Sequence, residues 1–341
     1  MSTRAVVPGE QPNPNFILQV LNSYQRTTAL RAAIRLDLFT AIGEGHDAPA
    51  AAAAHCKATE RGIRILCDYL SIVGLLAKRD GRYSLSPDAA VFLDRRSPAY
   101  IGTISDFLVR AETLEIFMDL ADTIRDPEKS LEGRTATEPE NPMWVAFARA
   151  MAPLMVYPAQ GIAEMIGAGN GENWKVLDIA AGHGLFGITI AKENPNAEIF
   201  ALDWPSVLEV ARENAQAAGV AARHHLLPGS FFTRDLGMGY NLVLLTNFVH
   251  HFDIATVESI LKKVRAALAP GGCVVTLEFV PNEDRITPQP AAVFSMTMLG
   301  HTRAGDAYTF AQYEQMFRNA GFESSEIRPL PGPASAIISR I

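Results

Sequence analysis

The sequence lacks the marks of several protein classes. It has only three cysteines, Cys56, Cys67 and Cys273, and no pair has CxxC spacing, so neither a disulfide framework nor a cysteine zinc site is expected. No run approaches the roughly 20 apolar residues that cross a bilayer, and the N-terminus has no apolar signal core. The net charge of −7 argues against nucleic acid, which needs clustered Lys and Arg. We therefore expect a cytoplasmic protein with no membrane or nucleic-acid partner.

The composition is that of a folded protein of more than one domain. Hydrophobic residues make up 48% and charged residues 20%, whereas a disordered chain needs fewer apolar residues and more charge. The 341 residues exceed one ordinary core. We expect a flexible arm at residues 1–15, a mostly helical winged-helix-like domain at 16–100, a helical linker and pocket region at 101–170, and an α/β domain at 171–341.

The N-terminal domain is predicted from helical spacing followed by a hairpin signal. Apolar residues recur with helical periodicity from Phe16 to Ile42, and shorter helices are predicted at Ala48–Ala54 and Glu60–Val73. Asp80-Gly81 then predicts a turn between two short strands. This order is typical of a winged helix, so DNA binding is an alternative. Nearly balanced charge, with acids on the would-be recognition helix, disfavours it.

The segment Met143–Ile166 is rich in Met, Trp, Phe and Tyr. Such a helix packs in a core, lines a pocket for an aromatic or apolar substrate, or does both. Methionine adapts to flat rings because its side chain is unbranched and flexible. The candidate pocket residues here and further along are Trp144, Phe147, Met151, Met155, Phe294, Met296 and Met298.

After residue 171, strand-like apolar runs alternate with amphipathic helical stretches. The predicted strands are Lys175–Ile179, Glu198–Leu202, His224–Leu227, Asn241–Thr246 and Cys273–Phe279. The predicted helices are Leu185–Glu193, Ser206–Ala218 and Ile254–Leu268. This alternation predicts a parallel sheet covered by helices on both faces, with a ligand at the carboxyl ends of the strands.

A glycine loop follows the first of these strands. Gly182, Gly184 and Gly187 formally match the dinucleotide fingerprint, but that match is weak alone. Asp178 precedes the glycines and suits a ligand with a cationic amine, which disfavours NAD. Asp203 ends the second strand, where a carboxylate can accept ribose hydroxyls. The alternatives are structural: Asp178 would cap backbone amides, and Asp203 would belong to the turn before Trp204.

The run Leu268-Ala269-Pro270-Gly271-Gly272 before the fifth strand resembles the corresponding turn of class I S-adenosylmethionine-dependent methyltransferases. Together with the acids and glycines above, the resemblance implies a Rossmann-like sheet that binds S-adenosylmethionine, with no metal. It also implies that cofactor contacts come from further strand ends. These additional candidates are Trp204, Ser230, Phe231 and Thr246.

The segment Asn247–Asp253 resembles the fourth-strand motif of the plant-type (caffeate and flavonoid) O-methyltransferases and their bacterial relatives. The resemblance implies that His250 removes the proton from the substrate hydroxyl and that Glu278 orients the His250 imidazole. It also implies that the N-terminal domain forms a homodimer. His250 could instead be a buried structural histidine, and His251 is expected to be structural. A metal site formed by His250, His251 and Asp253 is a further alternative.

Three positions depart from the family pattern. Ala307 stands where a second glutamate would flank the histidine, and Asp306 or Tyr308 could partly replace it. Ser230 stands where an aspartate meets the adenine amine, and Thr246 replaces a lysine. These departures keep other hypotheses open: a nitrogen or carbon acceptor, a non-methylating descendant that binds the cofactor, or a ligand-sensing DNA-binding regulator.

Overall fold

The computed structural model describes residues 13–341, so most of the predicted arm at 1–15 lies outside the described residues. The chain divides into two compact units, Met1–Val109 and Arg110–Ile341. Of the linker region predicted at residues 101–170, residues 101–109 are grouped with the first unit and residues 110–170 with the sheet in the second unit. Within the described range, no helix is long and apolar enough to cross a membrane.

The first unit is a small helical domain with one hairpin. Its core contains Leu38, Phe39, Ile63, Leu70 and Tyr83. The Asp80-Gly81 turn has positive φ at both residues, as the hairpin signal predicts. Its elements are α1 (Asn15–Leu21), α2 (Tyr24–Arg35), α3 (Leu38–Gly43), α4 (Pro49–His55), α5 (Glu60–Ile72), β1 (Leu76–Arg79), β2 (Arg82–Leu85), α6 (Pro87–Phe92) and α7 (Ile104–Leu108).

The second unit carries the large sheet. Its helices are α8 (Ala111–Met118), α9 (Leu120–Arg125), α10 (Pro127–Ser130), α11 (Met143–Met165), α12 (Leu185–Glu193), α13 (Pro205–Ala217), α14 (Ile254–Ala267), α15 (Gln289–Ala292), α16 (Phe294–His301) and α17 (Phe310–Asn319). Its strands are β3 (Lys175–Ile179), β4 (Glu198–Asp203), β5 (His224–Pro228), β6 (Tyr240–Thr246), β7 (Leu268–Glu278), β8 (Ser324–Pro329) and β9 (Ser335–Arg340).

The seven strands lie in the order β5-β4-β3-β6-β7-β9-β8, and β9 runs antiparallel to both of its neighbours while the other pairs are parallel. The strand order reverses between β3 and β6. In open α/β sheets this switch point opens a crevice at the carboxyl ends of the strands. The predicted α/β fold class is confirmed, and the crevice is the place where this kind of sheet binds ligands.

Alternating side chains of the central strands explain why helices cover both faces. Leu177 and Ile179 of β3 join the core on one face, with α14 and α17. Val176 joins the core on the other face, with α11 and α12. Each face is apolar because both are buried, as expected for a parallel sheet.

The Pro-Gly-Gly turn does not separate α14 from its strand as predicted. The strand β7 already begins at Leu268, which pairs with Tyr240, and pairing resumes at Cys273 with Leu242. The residues between them form a register break, because the partner strand supplies a single residue opposite the run 269–272. The turn is therefore an irregularity inside β7, near the amino end of this strand.

Candidate active site

The carboxyl ends of β3, β4 and β6, together with the segment after β5, surround a cavity of about 210 Å³. The cavity lies at the switch point of the sheet. Eight residues predicted as cofactor or pocket residues border it: Gly182, Asp203, Trp204, Ser230, Phe231, Thr246, Trp144 and Phe147. Loops that are distant in sequence thus meet at one site because parallel strands end at the same edge.

The glycine loop and Asp203 hold each other in place. One carboxylate oxygen of Asp203 accepts a hydrogen bond from the Gly182 N–H at 2.8 Å, and the other accepts from the Trp204 N–H at 2.7 Å. Burial raises the pKa of Asp203 to about 6, and the two N–H donors oppose that shift. A carboxylate held in this way keeps lone pairs for ligand hydroxyl groups.

Asp178 lies behind the loop, fully buried, and does not border the cavity. Its Oδ2 accepts from the Gly187 N–H at 3.2 Å, while Oδ1 is buried with no hydrogen-bond partner among the described residues. Burial raises the pKa of Asp178 to about 7, with Asp203 adding to the shift. A buried carboxylate oxygen without a donor is costly, and a cationic ligand beside the loop would relieve that cost.

The three loop glycines have different physical roles. Gly182 has φ of +58°, and the nearest atom to an added Cβ is 3.8 Å away, so a side chain there would enter open space. Gly184 has φ of +73°, and its added Cβ would lie 3.0 Å from the Ala211 Cβ. A Cβ on Gly187 would lie 2.5 Å from Ile199 Cγ2, so this glycine lets α12 pack closely on β4.

Two non-glycine residues at the cavity adopt the left-handed backbone conformation. Ala180 has φ of 54° at the end of β3, and Asn247 has φ of 53° at the end of β6. Both border the cavity. Such conformations cost on the order of 1–3 kcal/mol each and cluster at functional sites. The strain sits where the two central strands turn into the site.

His250 and Glu278 form a buried pair at the ends of β6 and β7. Nδ1 of His250 shares a short hydrogen bond with one Glu278 carboxylate oxygen. The other oxygen accepts from the N–H groups of Phe248 and Val249, at 3.2 Å each. Glu278 therefore fixes the orientation of the imidazole and of the loop that carries it. The other ring nitrogen, Nε2, remains for contact with a substrate. Burial lowers the pKa of His250 to about 3, so the ring is neutral at physiological pH.

The backbone and rings around His250 are closely packed. The Phe294 ring meets the imidazole nearly at right angles, with centroids 4.8 Å apart, and stacks on Phe279 at 3.8 Å. The Asp306 N–H donates to the His250 carbonyl oxygen at 3.0 Å. A Cβ on Gly305 would lie 2.3 Å from that same oxygen. The loop 305–306 thus supports His250 from its backbone side.

The side chains next to Ala307, the position where the family has a second glutamate, bond to groups other than His250. Ala307 is fully buried. The Asp306 carboxylate pairs closely with Arg285, and the Tyr308 hydroxyl donates to the Phe252 carbonyl oxygen at 2.6 Å. Among the hydrogen bonds of the described residues, neither Asp306 nor Tyr308 offers its side chain to His250. Glu278 is accordingly the one acid bonded to this imidazole in residues 13–341.

The structure brings to the cavity several residues that the sequence interpretation did not assign to it. His183 borders the cavity and accepts from the Leu185 N–H through Nδ1, which leaves the proton on Nε2. His251 also borders the cavity: its Nδ1 contacts the Phe248 carbonyl oxygen at 3.0 Å, and its ring meets Trp144 at 5.3 Å. Their positions directly after strand ends were the available signal. Asn247 and Phe252 also border the cavity.

The remaining predicted pocket residues lie outside that cavity. Met298 is buried in α16, and Met151 and Met155 are half-buried on α11. The Met155 sulfur contacts the Asn247 amide nitrogen at 3.8 Å. Met296 borders a second, more open cavity of about 770 Å³, together with Gly305, Asp306 and Tyr308. Phe294 reaches the site through its contact with His250.

Comparison with known proteins agrees with this architecture. The family model described as O-methyltransferase domain matches residues 172–323, and the one described as O-methyltransferase dimerisation domain matches residues 18–95. A solved chain from Nostoc punctiforme, assigned as an O-methyltransferase, is 48% identical, covers 97% of this chain and 100% of its own length, and superposes with a TM-score of 0.91. The protein belongs to the S-adenosylmethionine-dependent O-methyltransferase family.

More distant relatives extend the comparison. The 3-hydroxy-5-methyl-1-naphthoate 3-O-methyltransferase of Streptomyces sahachiroi is 28% identical over 94% of this chain and 92% of its own. Human N-acetylserotonin methyltransferase, solved with S-adenosylmethionine, is 21% identical, covers 98% of this chain and 99% of its own, and has a TM-score of 0.81, a likeness of fold. The comparisons support an oxygen acceptor and none of the alternative functions.

Proposed function

We propose that this O-methyltransferase methylates a hydroxyl group of a small aromatic molecule, with His250 as general base and Glu278 as the residue that positions it. The observation that carries the proposal is the buried hydrogen bond between these two side chains at the carboxyl ends of β6 and β7, next to the switch point of the sheet. The Streptomyces relative acts, by its name, on a hydroxynaphthoate, which supports an aromatic acceptor here.

The cofactor fits the cavity on grounds of chemistry. Asp203 would accept the ribose hydroxyls, and Asp178, with its unpaired buried oxygen, would balance the cationic amine. Gly182 would allow close approach at the loop, while Trp204, Ser230, Phe231 and Thr246 border the remaining walls. When bound, S-adenosylmethionine supplies a sulfonium methyl group.

His250 makes the hydroxyl a better nucleophile. As the hydroxyl oxygen accepts the methyl group, Nε2 of His250 would take the hydroxyl proton and later release it to solvent. A phenol has a pKa of about 10, against roughly 6.5 for imidazole. Proton transfer from the phenol to the imidazole is therefore favourable only while the bond between oxygen and the methyl carbon is forming. Burial raises the pKa of Glu278 to about 8, so this carboxyl and the imidazole share one proton, and as the carboxylate Glu278 would stabilise the imidazolium at that moment. Such a positioned base typically contributes about 10²–10⁴-fold.

The packing around His250 favours a flat and rather acidic acceptor. Phe294, stacked on Phe279, offers an aromatic wall next to the imidazole. Because burial lowers the pKa of His250 and a second flanking acid is missing at Ala307, the imidazole is a weak base before catalysis. We therefore infer a preference for hydroxyl groups whose own pKa is low.

A screen with S-adenosylmethionine labelled in its methyl group tests this function. The acceptors are phenols and hydroxynaphthoates of graded acidity, and the corresponding anilines are the controls. The hydroxyl compounds should give labelled O-methyl products. The rate should rise with acceptor acidity. Transfer of the label to the anilines without transfer to the phenols would overturn the proposal.

We further propose that the first unit mediates a homodimer. The helix α1 is apolar but has no buried residue, with Ile17 61% and Leu21 66% exposed. An apolar helix left uncovered in this way marks an interaction surface, and the matching dimerisation domain supports a second copy of the chain as its partner.

Light scattering should therefore report twice the chain mass at micromolar concentration. The double variant Ile17→Glu/Leu21→Glu should shift the protein toward the monomer, because it places charge in the apolar contact. Met238→Glu, at a 74% exposed apolar residue of the second unit, is the matched control and should leave the mass unchanged. A monomeric parent protein would contradict the proposal.

Cofactor binding should weaken in mildly acidic solution. The raised pKa values of Asp178 and Asp203, about 7 and about 6 in the free protein, mean that both carboxyls take up protons as the pH falls through this range. Binding needs the ionised forms, so affinity for S-adenosylhomocysteine should be constant above this range and fall by up to about tenfold per pH unit and proton below it.

Protonation of His250 should not cause this loss of cofactor affinity at acidic pH. An ordinary imidazole would protonate near pH 6.5, but burial lowers the pKa of His250 far below that value. Thus kcat at saturating cofactor should change less than cofactor affinity between pH 7 and pH 5.5. Calorimetry across this range checks the first point and steady-state kinetics the second. An affinity independent of pH would refute the carboxylate assignment.

A further inference from the structure

The first unit contains a cluster of three side chains that the methyltransferase function does not use. Glu44 follows the last residue of α3, His46 lies two residues later, and His55 is the last residue of α4. One ligand atom from each lies within 4.8 Å of the others, and the two imidazole centroids are 4.6 Å apart. We call these residues the Glu44–His46–His55 cluster.

Nothing within the described chain satisfies these polar groups. No side-chain hydrogen bond or ion pair of Glu44, His46 or His55 is present in residues 13–341. The neighbouring cations are committed: Arg96 binds the Asp94 carboxylate through two nitrogens, and Arg82 pairs with Asp47. Arg96 also lies close enough to Glu44 for the charge of that carboxylate to raise its pKa, but no hydrogen bond or ion pair joins the two. Two imidazoles and a carboxylate therefore converge without a hydrogen-bonded or ion-paired protein partner in the described residues.

We propose that this cluster binds one divalent transition-metal ion of the zinc type. Imidazole nitrogen with one carboxylate oxygen is a ligand set that suits Zn²⁺ and its neighbours, whereas Mg²⁺ and Ca²⁺ prefer oxygen alone. Because the three ligand atoms lie within 4.8 Å of one another, a central point can be placed no more than about 2.8 Å from each. Each ligand would then move inward by at most roughly 0.7 Å to reach zinc bond lengths of about 2.0–2.1 Å.

That movement is within the reach of the side chains, because their backbones are anchored. The Glu44 N–H donates to the Thr40 carbonyl oxygen at 2.9 Å, and the His46 N–H donates to that of Ala41 at 3.0 Å. The helices α3 and α4 pack into the same core. The partly exposed cluster leaves the remaining coordination positions to water. A bound ion would connect the ends of α3 and α4 and stabilise the first unit.

The test uses the full chain, purified without a polyhistidine tag and freed of metal with a chelator. Zinc titration by calorimetry should show one saturable site per chain, and the thermal midpoint should rise with zinc concentration, because the ion binds the folded state. Cobalt(II) should give a visible absorption band that zinc displaces. His46→Ala and His55→Ala should each weaken zinc binding by at least about tenfold, with circular dichroism unchanged.

His225→Ala is the matched control, since His225 is a partly exposed histidine paired with Glu198 in the second unit. It should leave zinc affinity and the thermal shift as in the parent protein. Glu44→Gln should weaken binding less than loss of either imidazole. The proposal is overturned by the absence of saturable zinc binding, or by a site that survives both His46→Ala and His55→Ala.

Discussion

Replacing His250 by alanine should lower kcat by about 10²-fold or more while the affinity for S-adenosylhomocysteine stays nearly unchanged. The reason is structural: the imidazole is bound by Glu278 and packed against Phe294, and it does not border the cavity assigned to the cofactor. The loss should be largest for weakly acidic phenols, because an acidic acceptor supplies part of its own ionisation. Single-turnover rates with phenols of graded pKa, together with calorimetry, measure both effects.

Neighbouring variants separate the base from its support. Glu278→Gln should lower kcat less than His250→Ala, because it weakens the orientation of the imidazole without removing it. Gly305→Ala should lower kcat without loss of cofactor affinity, since its Cβ would lie 2.3 Å from the His250 carbonyl oxygen and displace the residue. His251→Ala tests the other histidine at the site. A larger loss there than in His250→Ala would assign the base to His251.

The sheet was predictable because buried parallel strands leave a direct signal in sequence. The strand Lys175–Ile179 and the helix after it, Leu185–Glu193, have the predicted bounds. Each is a mostly apolar stretch, and the glycine loop at residues 182–184 separates them. Asp178 and Asp203 could be assigned to the ends of β3 and β4 for the same reason. By contrast, the helical region predicted from Phe16 to Ile42 is divided into three helices. One break comes at Asp37, whose φ of 56° has no clear sequence signal.

The site was less predictable where backbone geometry decides side-chain direction. Simple alternation places His251 away from the site, but the left-handed turn at Asn247 and the short helical turn Val249–His251 bring its ring to the cavity. Likewise Asp178, predicted beside the glycine loop, lies behind that loop, where its Oδ2 accepts a hydrogen bond from the Gly187 N–H. These outcomes depend on where a strand ends and how its loop turns, which residue type alone does not specify.

Gly182→Val should abolish measurable binding of S-adenosylhomocysteine. The Gly182 N–H donates to Asp203, the residue has φ of +58°, and its Cβ direction is open, so a branched side chain would fill the space next to Asp203. A β-branched residue is also strained at this φ. Calorimetry with S-adenosylhomocysteine and with NADH measures the loss and tests the cofactor class. Binding of NADH by the parent protein without S-adenosylhomocysteine would contradict the assignment.

Backbone strain alone could mimic this loss by unfolding the protein, and Gly219→Val separates the two causes. Gly219 has φ of +73°, and no atom lies within 4 Å of its added Cβ, but it follows α13 and does not border the cavity. Both variants carry comparable strain, so their thermal midpoints should fall by similar amounts. Only Gly182→Val should lose S-adenosylhomocysteine, because only there does the new side chain occupy the ligand's space. Equal loss of affinity in both variants would trace the effect to stability and remove Gly182 from the binding site.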